Sequence, residues 1–477
     1  MDRFKLKNKS LKHYRLRMGG LMLLADLTGF GLTGVLVFAL NSFAQLFTFE
    51  FSDLKYLLVF PVCLALFASS RLYPGIGLDP PEEIRLVTKF ISLSILIGSV
   101  YFFAVQHLWK LNYLAIPPAW GLSLLMVLLC RWGVRILASR YELWGEPVVV
   151  ISSKERMGLV AQYFLDRRRL GFVPVLGVTE QKNDPSSFPI DVLDVEEFTR
   201  LPDGYFAERN IQTALVGTRI LSDLSDLNVH RDLLRQFKRL VFVSDMDWLE
   251  GASISCHDFE GMLGIEARQN LLGPLDVFSK RAMDILFSIL LGVMLLPIFA
   301  VAALVIRLNS PGPVFYTQDR IGKGGRRIRV HKLRTMVMNA DRILEENLRN
   351  HPEARVEWEQ TQKLKDDPRV TRPGKWLRRF SIDELPQLYN VLRGEMSVVG
   401  PRPMLAEQAD LYGKNYELYC SVHPGLTGFW QVSGRNQTTF EERARFDAYY
   451  VNNWSVWLDI YILFRTVWVV LSRDGAY

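Results

Sequence analysis

The sequence predicts a membrane protein in three parts: an α-helical transmembrane bundle, a Rossmann-like α/β domain, and an α/β monotopic domain carrying a re-entrant membrane helix. Three observations predict it. Four apolar segments fill the first third of the 477-residue chain, short β-branched runs alternate with helical stretches in the middle, and a long apolar helix interrupted by Pro297 opens the last third. The expected boundaries are 1–140, 146–265 and 275–477, with the re-entrant helix over 281–307.

The apolar segments run from about Leu21 to Ser42, Leu54 to Ser70, Phe90 to Gln106 and Ile116 to Leu137. The first reaches the roughly 20 residues that cross a bilayer core, and the others lie near the short limit. Seven basic residues, Arg3 to Arg17, precede the first segment, the link from Phe43 to Asp53 has none, and Arg71, Arg85 and Lys89 bracket the next link. The positive-inside bias puts the N-terminus and everything after the fourth segment in the cytoplasm. The first apolar run lacks a small-residue cleavage pattern, which predicts an anchored start. A clustered net charge of +7 favours an anionic partner. Four scattered cysteines with no C-x-x-C pair and seven scattered histidines signal neither a zinc site nor a disulfide framework. No nucleic-acid module is recognised, so nucleic acid is not an expected partner.

In the middle, VVVIS, FVPVLGV, TALVG and LVFVS alternate with helical stretches, as in a parallel sheet. A dinucleotide fold needs glycines just after its first strand, where the backbone approaches the pyrophosphate. Here the stretch reads ISSKERMGLV, with Ser152, Ser153 and Lys154 in those places. A shell without cofactor is expected, structural or dimerising, which favours a homodimer.

In the last third, Lys280 and Arg281 precede the apolar run Ile285 to Ile306 and Arg307 follows it. Basic residues at both ends put both on one side, and Pro297 removes a helix hydrogen bond. A helix-turn-helix that dips into the inner leaflet and returns meets both conditions. A hairpin is expected around Lys323, Gly324 and Gly325, a polar helix over 339–365, and an aromatic helix from Trp454 to Asp474 at headgroup level.

Within SIDELPQLYN, Ser381 to Asn390, two acids stand side by side. With Asp383 as N-cap, Pro386 falls at the third helical position, where an N–H has no intrahelical partner to lose. Leu385, Leu388, Tyr389 and Leu392 then make one buried face. An Asp at a helix start is most often only a cap, but capping explains one acid and not two. Arg378 and Arg379 precede the pair, prolines flank Arg402, Arg435 lies in QVSGRN, and residues 320–334, which include Lys332 and Arg334, contain seven Lys or Arg and no acid. The helix dipole and these cations favour ionised carboxylates. An ionised Asp383 can bind Mg2+ with substrate phosphates, or attack phosphorus as a nucleophile.

SKRAMDIL, PGPVFYTQDRIGKGGRRIRVHKLRTM, SIDELPQLYNVLRGEMSVVGPRP and HPGLTGFWQVSGRN, in this order, resemble the bacterial polyprenyl-phosphate hexose-1-phosphate transferases, and the four-span front resembles their long members. The resemblance implies a bacterial inner-membrane enzyme with its catalytic domain on the cytoplasmic face. Asp383 would attack a UDP-hexose with Mg2+ present, expelling UMP, and undecaprenyl phosphate would take the phosphosugar, initiating O-antigen, capsule or exopolysaccharide synthesis. Galactose is the first expected sugar and glucose the alternative. Glu384 would assist as metal neighbour or base. Arg378, Arg402, Arg435, Lys332 and Arg334 would hold phosphates, with Lys280 and Arg281 beside membrane lipid. Two departures stand out: Leu296 precedes Pro297 where the family often has Ser, and His423 stands where many members have Arg or Lys. A non-catalytic scaffold for polysaccharide assembly is the reading of another class.

Overall fold

The computed structural model describes residues 14–44, 59–104, 116–180, 188–202, 204–217, 236–243, 253–259, 262–268, 274–353, 355, 364, 367–433 and 439–472. The chain divides into two compact units, Met1–Trp248 and Leu249–Tyr477.

Four helices open the first unit: α1 (Tyr14–Ala44), α2 (Val59–Ala68), α3 (Pro80–Ala104) and α4 (Ile116–Arg140). Prolines lie in the first turns of α3 and α4, where a missing N–H costs nothing. Among the described residues α1, α3 and α4 are long and apolar enough to cross a bilayer, and α2 is a shorter apolar helix. Leu24, Val35, Phe38, Leu96 and Val100 are exposed, a surface suited to lipid and not to water. The helices meet by close approach and by charge. A Cβ on Gly29 of α1 would lie 2.8 Å from the Val127 Cα of α4, so only glycine lets these backbones touch. Inside the bundle Arg131 of α4 donates to both oxygens of Asp26 of α1, at 2.6 and 2.7 Å, and to Glu83 of α3 at 3.2 Å. Arg135 donates twice more to Glu83, at 2.8 and 3.0 Å. Two acids and two guanidiniums neutralise one another, the condition on which charge persists away from water.

An all-parallel sheet follows, of order β3-β2-β1-β4-β5. Its elements are β1 (Glu146–Ile151), α5 (Lys154–Asp166), β2 (Phe172–Thr179), β3 (Val192–Asp194), α6 (Val195–Thr199), α7 (Tyr205–Glu208), β4 (Thr213–Gly217) and β5 (Arg239–Val243). Strand β1 is buried throughout, and its alternation divides the core. Val149 and Ile151 pack with Leu176, Val178, Phe198 and Phe206, whereas Val148 and Val150 pack with Met157, Phe172 and Leu215. Glu146, fully buried at the head of β1, accepts from Thr213 Oγ1, from Arg239 at 2.9 Å and from Arg15 of α1 at 3.3 Å. The strand's first residue thereby ties the sheet to the bundle.

The second unit opens with an antiparallel hairpin, β6 (Ser253–Phe259) and β7 (Met262–Arg268). Next comes α8 (Pro274–Asn309), which runs as one helix through Pro297. The expected two helices joined by a turn over 281–307 are therefore one continuous element, longer at both ends; a proline removes a single hydrogen bond, and the flanking turns retain theirs. Its N-terminal part meets the body through Asp284, which accepts from the Ser397 hydroxyl and the Val398 N–H, and its C-terminal part packs Ala302 and Ile306 on Leu333 and Leu377. Between them Leu286, Ile289, Leu290, Val293, Met294 and Leu296 are exposed.

Strands β8 (Phe315–Ile321) and β9 (Arg327–Leu333) form the hairpin expected at the glycines. Gly324 and Gly325 take φ of 68° and 71°, which side chains resist. The body is completed by α9 (Ala340–Asn350), α10 (Arg372–Arg379), α11 (Gln387–Arg393), β10 (Ser397–Val399), α12 (Tyr416–Cys420), β11 (Gly425–Thr427), α13 (Phe429–Ser433), α14 (Phe440–Asn452) and α15 (Val456–Ser472). Strands β10 and β11 pair in parallel over a core containing Val330, Val391, Val398, Tyr450, Trp454 and Ile462. Helix α15 is two-faced: Leu458, Asp459 and Ile462 are buried, while Phe464, Val467 and Trp468 are exposed.

Replacing Arg131 by Met leaves Asp26 charged and unpaired, a change that costs about 3–5 kcal/mol in buried pairs. A clear fall in melting temperature in detergent is expected. The double change Asp26→Leu with Arg131→Met should recover much of the loss.

Candidate active site

The acid pair sits in a sharp connection and not at a helix cap. Ser381, just past the end of α10, takes a left-handed conformation (φ 54°), Ile382–Glu384 form a 3₁₀ turn, and α11 begins only at Gln387 with Pro386 in the N-cap position. Asp383 is therefore not the N-cap of this helix. The left-handed Ser381 ends the helical run before the acids, and Pro386, which lacks an N–H, starts the next one after them. The buried face also differs from the expected one: Gln387, Leu388, Asn390 and Val391 point inward, whereas Tyr389 and Leu392 are exposed. Asn390 explains the rotation, because its side chain donates to the Arg329 carbonyl at 2.7 Å and accepts from the His331 N–H at 3.1 Å, fastening α11 to β9.

The two carboxylates have different surroundings. Lys332 of β9 and Arg402 both donate to Glu384 Oε1, at 2.8 and 3.0 Å. Asp383, 9% exposed, has no side-chain hydrogen bond or ion pair among the described residues. Burial and the Glu384 charge push the Asp383 carboxyl up to about 6, against the pull of Lys332, Arg378 and Arg402. Burial acts on Glu384 in the same sense, but Arg402 and Lys332 overcome it and hold that carboxyl down at about 2. Two of the cations expected to keep Asp383 ionised, Lys332 and Arg402, are thus bonded to its neighbour.

Arg402 is aimed by glycines. The Gly400 N–H donates to the Thr427 carbonyl at 2.8 Å, the Gly425 N–H to the Pro401 carbonyl at 2.7 Å, and a Cβ on Gly425 would lie 2.1 Å from the Gly400 nitrogen. Only two glycines permit that contact, and it holds the Pro401–Arg402–Pro403 corner beside β11. Arg378 is steadied by Thr335, whose hydroxyl accepts from its Nε at 2.9 Å. Arg320, Lys332, Glu384, Gln387 and Arg402 line one small open cleft. Arg320 and Gln387 were not singled out in the sequence. Arg320 looked like any other cation of a basic run, and only the hairpin pairing distinguishes it.

Three of the expected phosphate or lipid contacts are committed elsewhere. Lys280, its side chain 12% exposed, donates to Asp284 at 3.2 Å, to Asp459 at 2.7 Å and to the Val399 carbonyl at 2.9 Å. Arg281 donates to the Val391 and Leu392 carbonyls at 2.6 and 2.8 Å, satisfying the C-terminus of α11. Arg334, 7% exposed, donates to the Pro311 and Ser310 carbonyls. Each guanidinium or ammonium is drawn to carbonyls or acids that burial would otherwise leave unpaired. Arg435 lies outside the described residues. As for a metal, no group of three His, Cys, Asp or Glu side chains comes together among the described residues. Mg2+ commonly takes only one or two carboxylates and fills its shell with water and phosphate oxygens. The Asp383 carboxylate and Glu384 Oε2, neither with a hydrogen bond among the described residues, are one or two such oxygens and fit that pattern.

Residues 275–473 match the family model described as bacterial sugar transferase. The chain is 35% identical over 397 residues, 82% of both chains, to the UDP-galactose-lipid carrier transferase of Erwinia amylovora. It is 32% identical over 378 residues, 77% of both chains, to the undecaprenyl-phosphate galactose phosphotransferase of Salmonella typhimurium. The UDP-glucose:undecaprenyl-phosphate glucose-1-phosphate transferase of Escherichia coli is 41% identical over 207 residues, 42% of this chain and 41% of that one. The protein is a transferase, and its chain belongs to the bacterial sugar transferase family.

Proposed function

We propose that the protein transfers a hexose 1-phosphate from a UDP-sugar to undecaprenyl phosphate, releasing UMP, at the cytoplasmic face of the bacterial inner membrane. The observation that carries this reading is the unequal acid pair: Asp383 buried and unpartnered, and Glu384 clamped by Lys332 and Arg402. A carboxylate that titrates near 6, and so is mostly ionised at neutral pH, and that has no hydrogen bond among the described residues is a usable nucleophile.

In the first step an Asp383 oxygen attacks the sugar-bearing phosphorus. The bond to the UMP oxygen breaks and UMP leaves with the electron pair. In the second step a phosphate oxygen of undecaprenyl phosphate attacks the same phosphorus, and Asp383 departs as a carboxylate. Arg402 has one Nη on Glu384 and its other N–H groups without a partner among the described residues; Arg378 and Arg435 are the further phosphate partners, whereas Arg320 donates to Gln318 at 2.7 Å and to the Pro403 carbonyl at 3.3 Å and braces the corner that carries Arg402. Bound Mg2+ would neutralise phosphate charge, with Asp383 and Glu384 Oε2 as the oxygens offered to it.

Galactose is the proposed sugar because two relatives aligned over most of the chain carry galactose in their names, whereas the glucose-named relative aligns over less than half. The re-entrant course of α8 is likewise a proposal, supported by the return of both its ends to one body and by Pro297 in its exposed stretch. The sheet order β3-β2-β1-β4-β5 supports a Rossmann-like shell.

An in vitro panel of UDP-sugars with undecaprenyl phosphate and Mg2+ should give UMP release with UDP-galactose; no release with any sugar nucleotide overturns the reading. Asp383→Asn should lower UMP release by about a thousandfold or more, a loss typical of a missing nucleophile. The same change should raise the melting temperature above pH 6. The raised Asp383 carboxyl stabilises the fold when protonated, and that contribution is lost as pH rises through about 6.

The ionised form does the chemistry, so activity should rise with pH through a limb near 6. Glu384→Gln removes a charge that raises this carboxyl. The limb should therefore move to lower pH while the maximal rate falls, and a pH–rate profile of both forms checks it.

A further inference from the structure

The carboxyl edge of the first unit's sheet holds a group of hydroxyls without partners. Ser152 and Ser153 follow β1, Thr179 ends β2, and the Ser152 N–H donates to the Val178 carbonyl at 3.1 Å, which brings the two strand ends together. Ser152 and Thr179 are wholly buried and Ser153 is 9% exposed, yet none of the three hydroxyls has a hydrogen-bond partner among the described residues. A buried polar group without a partner destabilises a fold, and three near one strand end are groups that a polar ligand would satisfy.

The backbone points the same way. Ser153 is the N-cap of the 13-residue α5, but its hydroxyl does not cap. Its carbonyl accepts from the Arg156 and Met157 N–H groups, whereas the Lys154 and Glu155 N–H groups have no partner among the described residues. Three hydroxyls, two N–H groups, the positive end of a helix and the exposed Lys154 ammonium make a donor set for a tetrahedral oxyanion. Side also matters. Glu146 ties the head of β1 to Arg15 of the bundle, so the carboxyl edge lies at the other end of the strand, about 20 Å away at the usual rise per residue.

We infer that Ser152, Ser153, Lys154 and Thr179 form a binding site for one phosphate group of a small soluble phosphate monoester. Side chains at 152–154 stand where a dinucleotide fold keeps glycines for close approach of a pyrophosphate, which argues against an NAD-type ligand and for a single phosphate. The inference does not rest on the transferase reading.

The test is hydrogen exchange by mass spectrometry on the full chain in detergent, with inorganic phosphate, UMP, glucose 1-phosphate or NAD+ added. At ten times its Kd a ligand should slow exchange in residues 153–160 roughly tenfold. Slowing by all three phosphates means the anion suffices; slowing by UMP or glucose 1-phosphate alone means the ester group also contributes. Thr179→Val, which keeps shape, and Lys154→Glu, at an exposed position, should each abolish the slowing without lowering the melting temperature, and the valine should raise it in the absence of ligand. No slowing with any of the three phosphates, slowing that survives both changes, or slowing by NAD+ alone overturns the proposal.

Discussion

The second unit is organised around one buried ammonium. Lys280 projects from the start of the long apolar helix into Asp284, Asp459 and the Val399 carbonyl, and the single Tyr450 O–H lies within hydrogen-bond distance of both Asp459, at 2.9 Å, and the same carbonyl, at 2.8 Å. Three elements distant in sequence, α8, β10 and α15, thereby share one charge centre. Removal of the lysine would leave Asp459, 1% exposed, without its cation, a loss that buried pairs do not tolerate. Val399 is the residue before Gly400–Pro401–Arg402, so the contact that docks the membrane helix also fixes the strand that aims the arginine.

From that frame follows the inequality of the two acids. Adjacent residues in a tight turn point their side chains in different directions, and Glu384 alone reaches Lys332 and Arg402. Once it is ionised and clamped, its charge acts on Asp383 together with burial, and the two carboxyls separate from about 2 to about 6. Two like groups given opposite protonation behaviour by their neighbours is the usual way a fold assigns an anchor and a reagent.

The first unit solves a different problem with the same device. Asp26, Glu83, Arg131 and Arg135 join three apolar helices through a neutral, closed set of ion pairs, and Gly29 lets α1 and α4 approach closely enough for the set to close. Glu146 then passes the constraint to the sheet through Arg15, Thr213 and Arg239. The sheet's opposite edge is left with hydroxyls and amides that nothing among the described residues satisfies.

Much of this was legible in the residues. Hydropathy marked the apolar helices, β-branched runs marked the parallel sheet, glycines at 324 and 325 marked the hairpin, and two adjacent acids among arginines marked the site, because each depends on local composition or on φ/ψ that few residues adopt. What the sequence could not rank were the cations. Lys280, Arg281, Arg334, Lys332 and Arg402 read alike as positive charges, and only the tertiary structure sends the first three to carbonyls and structural acids and the last two to Glu384. The same holds for Asp383: Pro386 suggested a cap, but the left-handed Ser381 and the burial of Asn390 moved the helix start and freed the carboxylate. The sequence by itself determined which groups carry charge and which segments avoid water. Which charges neutralise each other, and which one is left free to react, depends on distances of a few ångströms between residues far apart in the chain, and only the packed fold decides those.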